Sequence, residues 1–257
     1  MVGVADIGPV QLALAVGFVL LAGGVSLALG LGLARDVFWG TARTFAQLFL
    51  MGYLLVYIFR LDAPLLVLAV FGAMIFFAAR IVVGRVKGKG PKVFGPVLGS
   101  MLLSYMVVTY LVTAVVVEAE PWWQPRYFIP LGGMVVGNSM NATALALERL
   151  FGEVARRRNE IEAWLGLGAT PAEATAEIFA ASVRAGMIPS INSMMGVGVV
   201  FLPGMMTGQI LAGADPLVSI KYQIVVMLML VGSTTISSVL GVYLARRRLF
   251  NAADQLI

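Results

Sequence analysis

The 257-residue sequence contains neither cysteine nor histidine. Their absence excludes disulfides, thiolate and imidazole metal sites, cysteine or serine–histidine nucleophiles and a histidine general base. Charge is scarce too. Only 12% of the residues are Asp, Glu, Lys or Arg, against 60% hydrophobic, where a soluble domain carries roughly a quarter charged. With a mean hydropathy of +0.94, the composition is that of an integral membrane protein. A phosphate-cradling Gly-x-x-x-x-Gly-Lys-Ser/Thr is missing as well, since the stretch from Gly84 to Gly90 has the wrong spacing and no hydroxyl residue. The chain is therefore not expected to hydrolyse ATP unaided, and no catalytic constellation stands in its place. The first apolar run is far longer than the core of a signal peptide and lacks a basic leader.

What is present is a succession of apolar runs. Crossing a hydrocarbon core of about 30 Å takes roughly 20 apolar residues, and seven stretches qualify: 10–34, 37–59, 65–83, 93–117, 128–147, 187–211 and 220–245. The expectation is an all-α polytopic bundle of seven spans, a single transmembrane domain over 1–257. Lysine and arginine set its orientation. Alternate loops collect fifteen of the eighteen cations, among them Arg85, Lys87, Lys89, Lys92, Arg156 to Arg158 and Arg246 to Arg248, and leave Arg60, Arg126 and Lys221 on the other side. This bias predicts an external N-terminus and a cytoplasmic C-terminus. It also accounts for the net charge of +5, so nucleic acid is not an expected partner; membrane lipid is, through acidic headgroups. Trp122, Trp123 and Tyr127 suit the headgroup belt.

The largest polar interlude, 148–186, reads as a cytoplasmic loop of two helices. The first is charged and amphipathic, from Glu148 to about Gly166. The second follows a turn at Gly168-Ala169 and opens with Thr170 as N-cap and Pro171 in the first helical position. Within it, Glu162-Ala163-x-x-x-Leu167-Gly168-Ala169-Thr170-Pro171-x-x-Ala174 resembles the Glu-Ala-Ala-x-x-x-Gly cytoplasmic loop of ABC-transporter permeases, with Trp164 where that pattern prefers alanine. A short helix closed by a tight glycine turn is a stiff knob for a soluble ATPase to hold, passing its motion to the attached spans. The bland alternative is an ordinary amphipathic surface helix.

The strings GNSMNATALALERL, LGLGATPAEA, PSINSMM and LPGMMTGQILAGADP extend the likeness over most of the chain. It resembles the bacterial iron-export ABC permease family of the FetB and YbbM type, whose plant relatives are the aluminium-sensitive and STAR-type subunits. The resemblance implies a multi-pass protein of the bacterial inner membrane that exports iron or a related metal. It also implies a homodimer of this chain served by separate ATP-binding proteins, which bind the ATP and Mg; this chain holds no cofactor. Glu162, Ala163, Gly168, Ala169, Thr170 and Pro171 would receive the ATPase.

Several side chains at span depth stand out. Asn138 and Asn141, with Ser139 and Thr143, form adjacent polar faces in the fifth span, while Asn192 and Ser193, then Thr207 and Gln209, mark the sixth. Such groups either hydrogen-bond between helices or line a path for cargo. Met194, Met195, Met205 and Met206 are soft ligands or adaptable packing. Glu118, Glu120 and Asp215 are oxygen donors at the outer face, or a solvated rim. Gly133-x-x-x-Gly137 and Gly204-x-x-x-Gly208 suit helix packing or a dimer seam, and Pro189 and Pro203 predict kinks in the sixth span. Arg43 reads as a snorkelling cation, with Gln47 one turn on. Two other classes remain open: a secondary transporter, which would need mid-span carboxylates that the uncharged windows lack, and a non-transporting scaffold or sensor.

Overall fold

The computed structural model describes residues 8–60, 63–86, 88 and 90–257; Lys87 and Lys89 of the basic loop lie outside them. Among these residues the chain is all helix, with ten α-helices and no strand beyond two isolated bridges. Five helices are long and apolar enough to cross a membrane, so this is a multi-pass membrane protein. Its described residues fall into two compact units, 8–60 with 211–213, and the remainder.

The first unit is built on a helical hairpin, α1 (Pro9–Ala28) and α2 (Ala34–Ile58). The sequence carries no charge between Val10 and Ala34, which is why the first span was expected to reach Ala34. The helix stops earlier because Gly30 and Gly32 take φ of 63° and 71°, a backbone region that glycine enters without a steric cost. Ser26 Oγ accepts a hydrogen bond from Leu33 N at 3.0 Å across the turn. Gly23 lets the two helices close, since a Cβ there would lie 2.8 Å from Phe38 Cζ. Arg43 and Gln47 are exposed on α2.

The second unit begins with α3 (Pro64–Arg85) and α4 (Phe94–Leu111), whose last turn widens to a π-helix over Val112–Val116. Next come α5 (Pro125–Arg156), α6 (Arg158–Gly166), α7 (Pro171–Ala174), α8 (Ala176–Gly196), α9 (Gly204–Leu211) and α10 (Pro216–Arg246). Proline opens α3, α5, α7 and α10 at a position whose N–H has no helical partner in any case. Asp215 caps α10 by accepting from Val218 N at 3.1 Å. The expected sixth span, 187–211, is not one helix. It is the end of α8, a break at 197–203 and then α9; Pro189 stays inside α8, and the ladder is lost where Gly198 takes a φ of 86°.

Helices α5 and α10 form the centre, packed on each other and both on α4 and α8, while α3 packs on α4 and α5. Phe71 of α3 is fully buried, edge-on to Phe128 at 5.1 Å. Trp122, expected at the headgroup belt, stacks its ring edge-wise against both Phe128 and Tyr110. The closest approaches are made at glycines other than those singled out by spacing. A Cβ on Gly132 would fall 2.5 Å from the Phe71 ring, and one on Gly186 would fall 2.7 Å from both Ala142 O and Ser238 Oγ. Gly137, Gly204 and Gly208 have open space at their Cβ positions.

Candidate coupling loop and transport path

At 32 residues, α5 is about 48 Å long at 1.5 Å per residue, well beyond a hydrocarbon core. The helix expected to start afresh at Glu148 is in fact the end of α5, which runs unbroken to Arg156. The chain bends at Arg157 and resumes as α6. The elbow is held by ion pairs. Glu153 faces Arg149 at 3.0 Å and also Arg156, Arg158 meets Glu162 at 2.8 Å, and Arg157 bridges Glu160 to Glu177 of α8, the latter at 2.8 Å. The Arg156 hydrogen bond, seconded by the Arg149 charge, holds the Glu153 carboxyl below its usual range against the cost of burial. The hydrogen bonds that Arg157 donates to Glu160 and Glu177 push its guanidinium above the usual range. One residue thus fastens α6 to the first turn of α8.

The turn between α6 and α7 is closed at both ends. Ala169 N donates to Trp164 O at 3.0 Å and Gly168 N to Leu165 O at 3.0 Å, a Schellman ending that needs a left-handed residue; Gly168 supplies it with φ 92°. Thr170 then caps α7 as expected. Its Oγ1 accepts from Glu173 N at 3.3 Å, and Glu173 Oε2 accepts from Thr170 N at 2.8 Å. That reciprocal box holds the Glu173 carboxyl low, through the Thr170 backbone first and its hydroxyl second. Between these fastenings sit two large apolar side chains, Trp164 at 52% exposure and Leu167 at 82%. Glu162, Ala163 and Gly168 are exposed beside them, and Ala169 and Pro171 are half-buried. The six residues named from the sequence, Thr170 being exposed too, thus run from α6 through the Gly168 turn to the start of α7.

The polar quartet of α5 divides. Ser139 and Thr143 point inward and are fully buried, with Ser139 Oγ 2.7 Å from Ser233 Oγ of α10. Asn138 and Asn141 face outward and line a small groove of about 140 Å³ against α8, with Pro189, Ser190 and Ser193 on its far side. Asn192 is exposed nearby. Asn138 meanwhile donates to Met134 O at 3.0 Å on its own helix. Of the four methionines, Met194 and Met206 reach one apolar cavity of about 380 Å³ beside the 197–203 break, joined by Met227 and by Gln223, whose buried Oε1 has no partner among the described residues. Met195 is 69% exposed and Met205 lies outside the lining. Thr207 donates to Pro203 O at 3.0 Å and so caps the break; Gln209 Oε1 is buried without a partner among the described residues.

Glu118 and Glu120 are exposed and Asp215 is spent as a helix cap. No group of three or more acidic side chains able to hold a metal occurs among the described residues. What the sequence reading missed is a buried hydroxyl seam. Ser100, Ser104, Tyr105 and Thr109 of α4 and Ser233, Thr234, Ser237 and Ser238 of α10 are all buried, and Tyr105 Oη, Thr109, Thr143 and Ser238 have no hydrogen-bond partner among the described residues. The run Gly232-Ser-Thr-Thr-Ile-Ser-Ser238 was its visible signal.

The model of the uncharacterised protein family UPF0014 matches residues 9–250. Among curated proteins, the chain is 39% identical over 228 residues to a UPF0014 membrane protein of Synechocystis, covering 89% of this chain and 88% of the relative. It is 35% identical over 247 residues to the probable iron export permease protein FetB of Escherichia coli, covering 96% and 94%. It is 34% identical over 249 residues to the protein ALUMINUM SENSITIVE 3 of Arabidopsis thaliana, covering 97% and 90%. No solved structure matches it.

Proposed function

Because the chain belongs to the UPF0014 family, with nearly its whole length matched, we propose that it is the permease subunit of an ABC transporter of the bacterial inner membrane. In this reading it exports iron or a related metal cation and is driven by a separate ATP-binding subunit that holds the ATP and Mg. The observation that carries the proposal is the exposed Trp164–Leu167 knob, stiffened by the Schellman turn and the capping box and bonded through Arg157 to α8. Large apolar side chains held rigid at a polar helix turn fit a protein partner. A push on that knob reaches α5 and α8 as a rigid body, because both are continuous with the elbow or ion-paired to it.

Seven crossings complete the proposal: the five span-like helices, α5, and α8 with α9 as one broken crossing. The N-terminus is then outside, and the knob and the C-terminus are in the cytoplasm, in line with the lysine and arginine bias. A homodimer is supported by Asn138 and Asn141, which are exposed on one protomer although an amide facing lipid is costly. A second copy across the α5–α8 groove would cover them and leave a polar path between the two chains for the metal.

The test is Gly168→Val, which puts a β-branched side chain at φ 92°, where it is strained. The variant is expected to insert and dimerise like the parent while metal-stimulated ATP hydrolysis and export fall at least tenfold. Full export by an inserted Gly168→Val chain would refute a coupling role for the turn.

A further inference from the structure

Past the end of α10 the chain folds back on itself as a hook. Ile257 N donates to Leu249 O at 2.9 Å, and Asn251 Oδ1 accepts from Ala253 N and Gln255 N at 2.9 and 3.0 Å. Leu249 is buried beneath it. Arg158 ties the hook to the elbow, donating to Leu256 O at 3.1 Å while it pairs with Glu162. Between hook and coupling turn lies a polar groove of about 370 Å³, walled on one side by Thr170 and Pro171 and on the other by Tyr243, Arg246, Arg247 and Phe250.

The charge in this groove is distinctive. Arg149, Arg156, Arg157 and Arg158 of the elbow all have carboxylate partners, whereas neither Arg246 nor Arg247 has one among the described residues. They are positioned instead by rings. The Arg246 guanidinium lies 4.9 Å from the Phe179 centroid and 5.7 Å from that of Tyr243, and Arg247 lies 5.9 Å from Tyr243. Cations stacked on aromatic faces keep their N–H edges free for an anion. One carboxylate, Asp254, lines the groove, leaving an excess of positive charge.

We propose that the groove is the second half of the docking socket, in which Arg246 and Arg247 bind an acidic segment of the ATP-binding subunit while Trp164 and Leu167 supply the apolar half. The inference rests on the coupling role of the 167–171 turn. It adds that the C-terminal hook is part of the socket and moves with α6 through Arg158. The charge argues for carboxylates, and the shared wall with the coupling turn argues that they belong to the same partner.

The test is affinity capture of the full-length chain in detergent from cells making the ATP-binding subunit, at about 50 and 300 mM salt. The Debye length shortens over that range, and charge-driven docking weakens with it. The Arg246→Glu/Arg247→Glu chain is expected to capture at least tenfold less ATPase at low salt, and to lose the salt dependence that the parent shows. Arg246→Lys/Arg247→Lys is expected to keep most of both. Should the double reversal fail to insert, Arg247→Gln at its exposed position serves, with a smaller drop expected. Undiminished, salt-independent capture by an inserted variant overturns the proposal. So does undiminished capture with loss of co-purifying anionic lipid, which would make the groove a headgroup site. Leu167→Asp separates the two claims. If it abolishes capture while the arginine variants do not, only the hook is wrong; if neither matters, or the parent captures no ATPase, the coupling turn falls as well.

Discussion

Gly186 is the position where one added carbon matters most. It lies where α5, α8 and α10 come closest, and a Cβ would press on a backbone oxygen, Ala142 O, which cannot turn aside as a flexible side chain can. Gly186→Ala is expected to cost about 1–3 kcal/mol by overpacking, seen as a lower melting temperature of the purified protein. Gly72→Ala, with open space at its Cβ, is expected to melt at or above the parent temperature, because alanine is the better helix former by about 1 kcal/mol. Equal melting of the two variants would show that the three-helix contact is looser than described. Ser139→Ala, which unmakes the 2.7 Å bond to Ser233, is expected to cost only about 0.6 kcal/mol, the average for bonds between membrane helices. Spacing alone placed Asn138, Ser139, Asn141 and Thr143 on adjacent faces. It could not say which face met α10 and which met the groove, since that depends on neighbours distant in sequence. The hydroxyl seam escaped for a related reason: serine and threonine barely lower the hydropathy of a span and bond to their own helix, as Ser100 does to Val97 O.

Among elements, the α6–α7 turn was legible from the sequence, while the 197–203 break was legible only as the kink expected at Pro203. The turn is fixed by local chemistry, with glycine in a left-handed position, threonine as cap and proline behind it, and each of these acts within four residues. Pro203 marks the end of the break, but its start lies in an apolar run whose glycines look like any other small residues, and spacing does not single out Gly198 as the one with a positive φ. The fifth span's continuation through the elbow was hidden because charge marks the edge of the membrane and not the end of the helix. The capping box gives an element-scale prediction with a definite sign. Glu173 is held below the ordinary carboxylate value of 4.5, so its contribution to the turn is fully present above that value. It is lost as pH falls through the depressed one. Protection of the Thr170, Glu173 and Ala174 amides, corrected for intrinsic exchange, should thus be flat from pH 7 to 5 and fall in stronger acid. Glu173→Gln should remove the acid step, and Thr170→Ala should lower protection at every pH, by about 1 kcal/mol. An acid step that survives in Glu173→Gln would assign it to another carboxylate.

For the molecule as a whole, everything mechanical depends on which side of the membrane the knob occupies. The lysine and arginine bias argues for the cytoplasm, which is where the proposed ATP-binding partner would have to meet it. The chain offers a direct way to ask, because it has no cysteine to remove. Single cysteines at Ala172, beside the coupling turn, and at Ala252, in the hook, are expected to resist a membrane-impermeant maleimide in intact cells and to react once the cells are opened. Cysteines at Gln124, before α5, and at Ala212, between α9 and α10, are expected to react from outside. The two pairs test different halves of the argument. Labelling at Gln124 together with protection at Ala172 requires that α5 crosses the membrane, as its apolar 128–147 stretch predicts, although it is not among the five helices that qualify as spans by length and composition. Labelling at Ala212 with protection at Ala252 requires the same of α10, and the four results together require that the broken α8–α9 segment is a crossing too. External labelling of Ala172 in intact cells would place the knob where no cytoplasmic ATPase reaches it, and neither the elbow's ion pairs nor the arginines of the hook could then serve a motor.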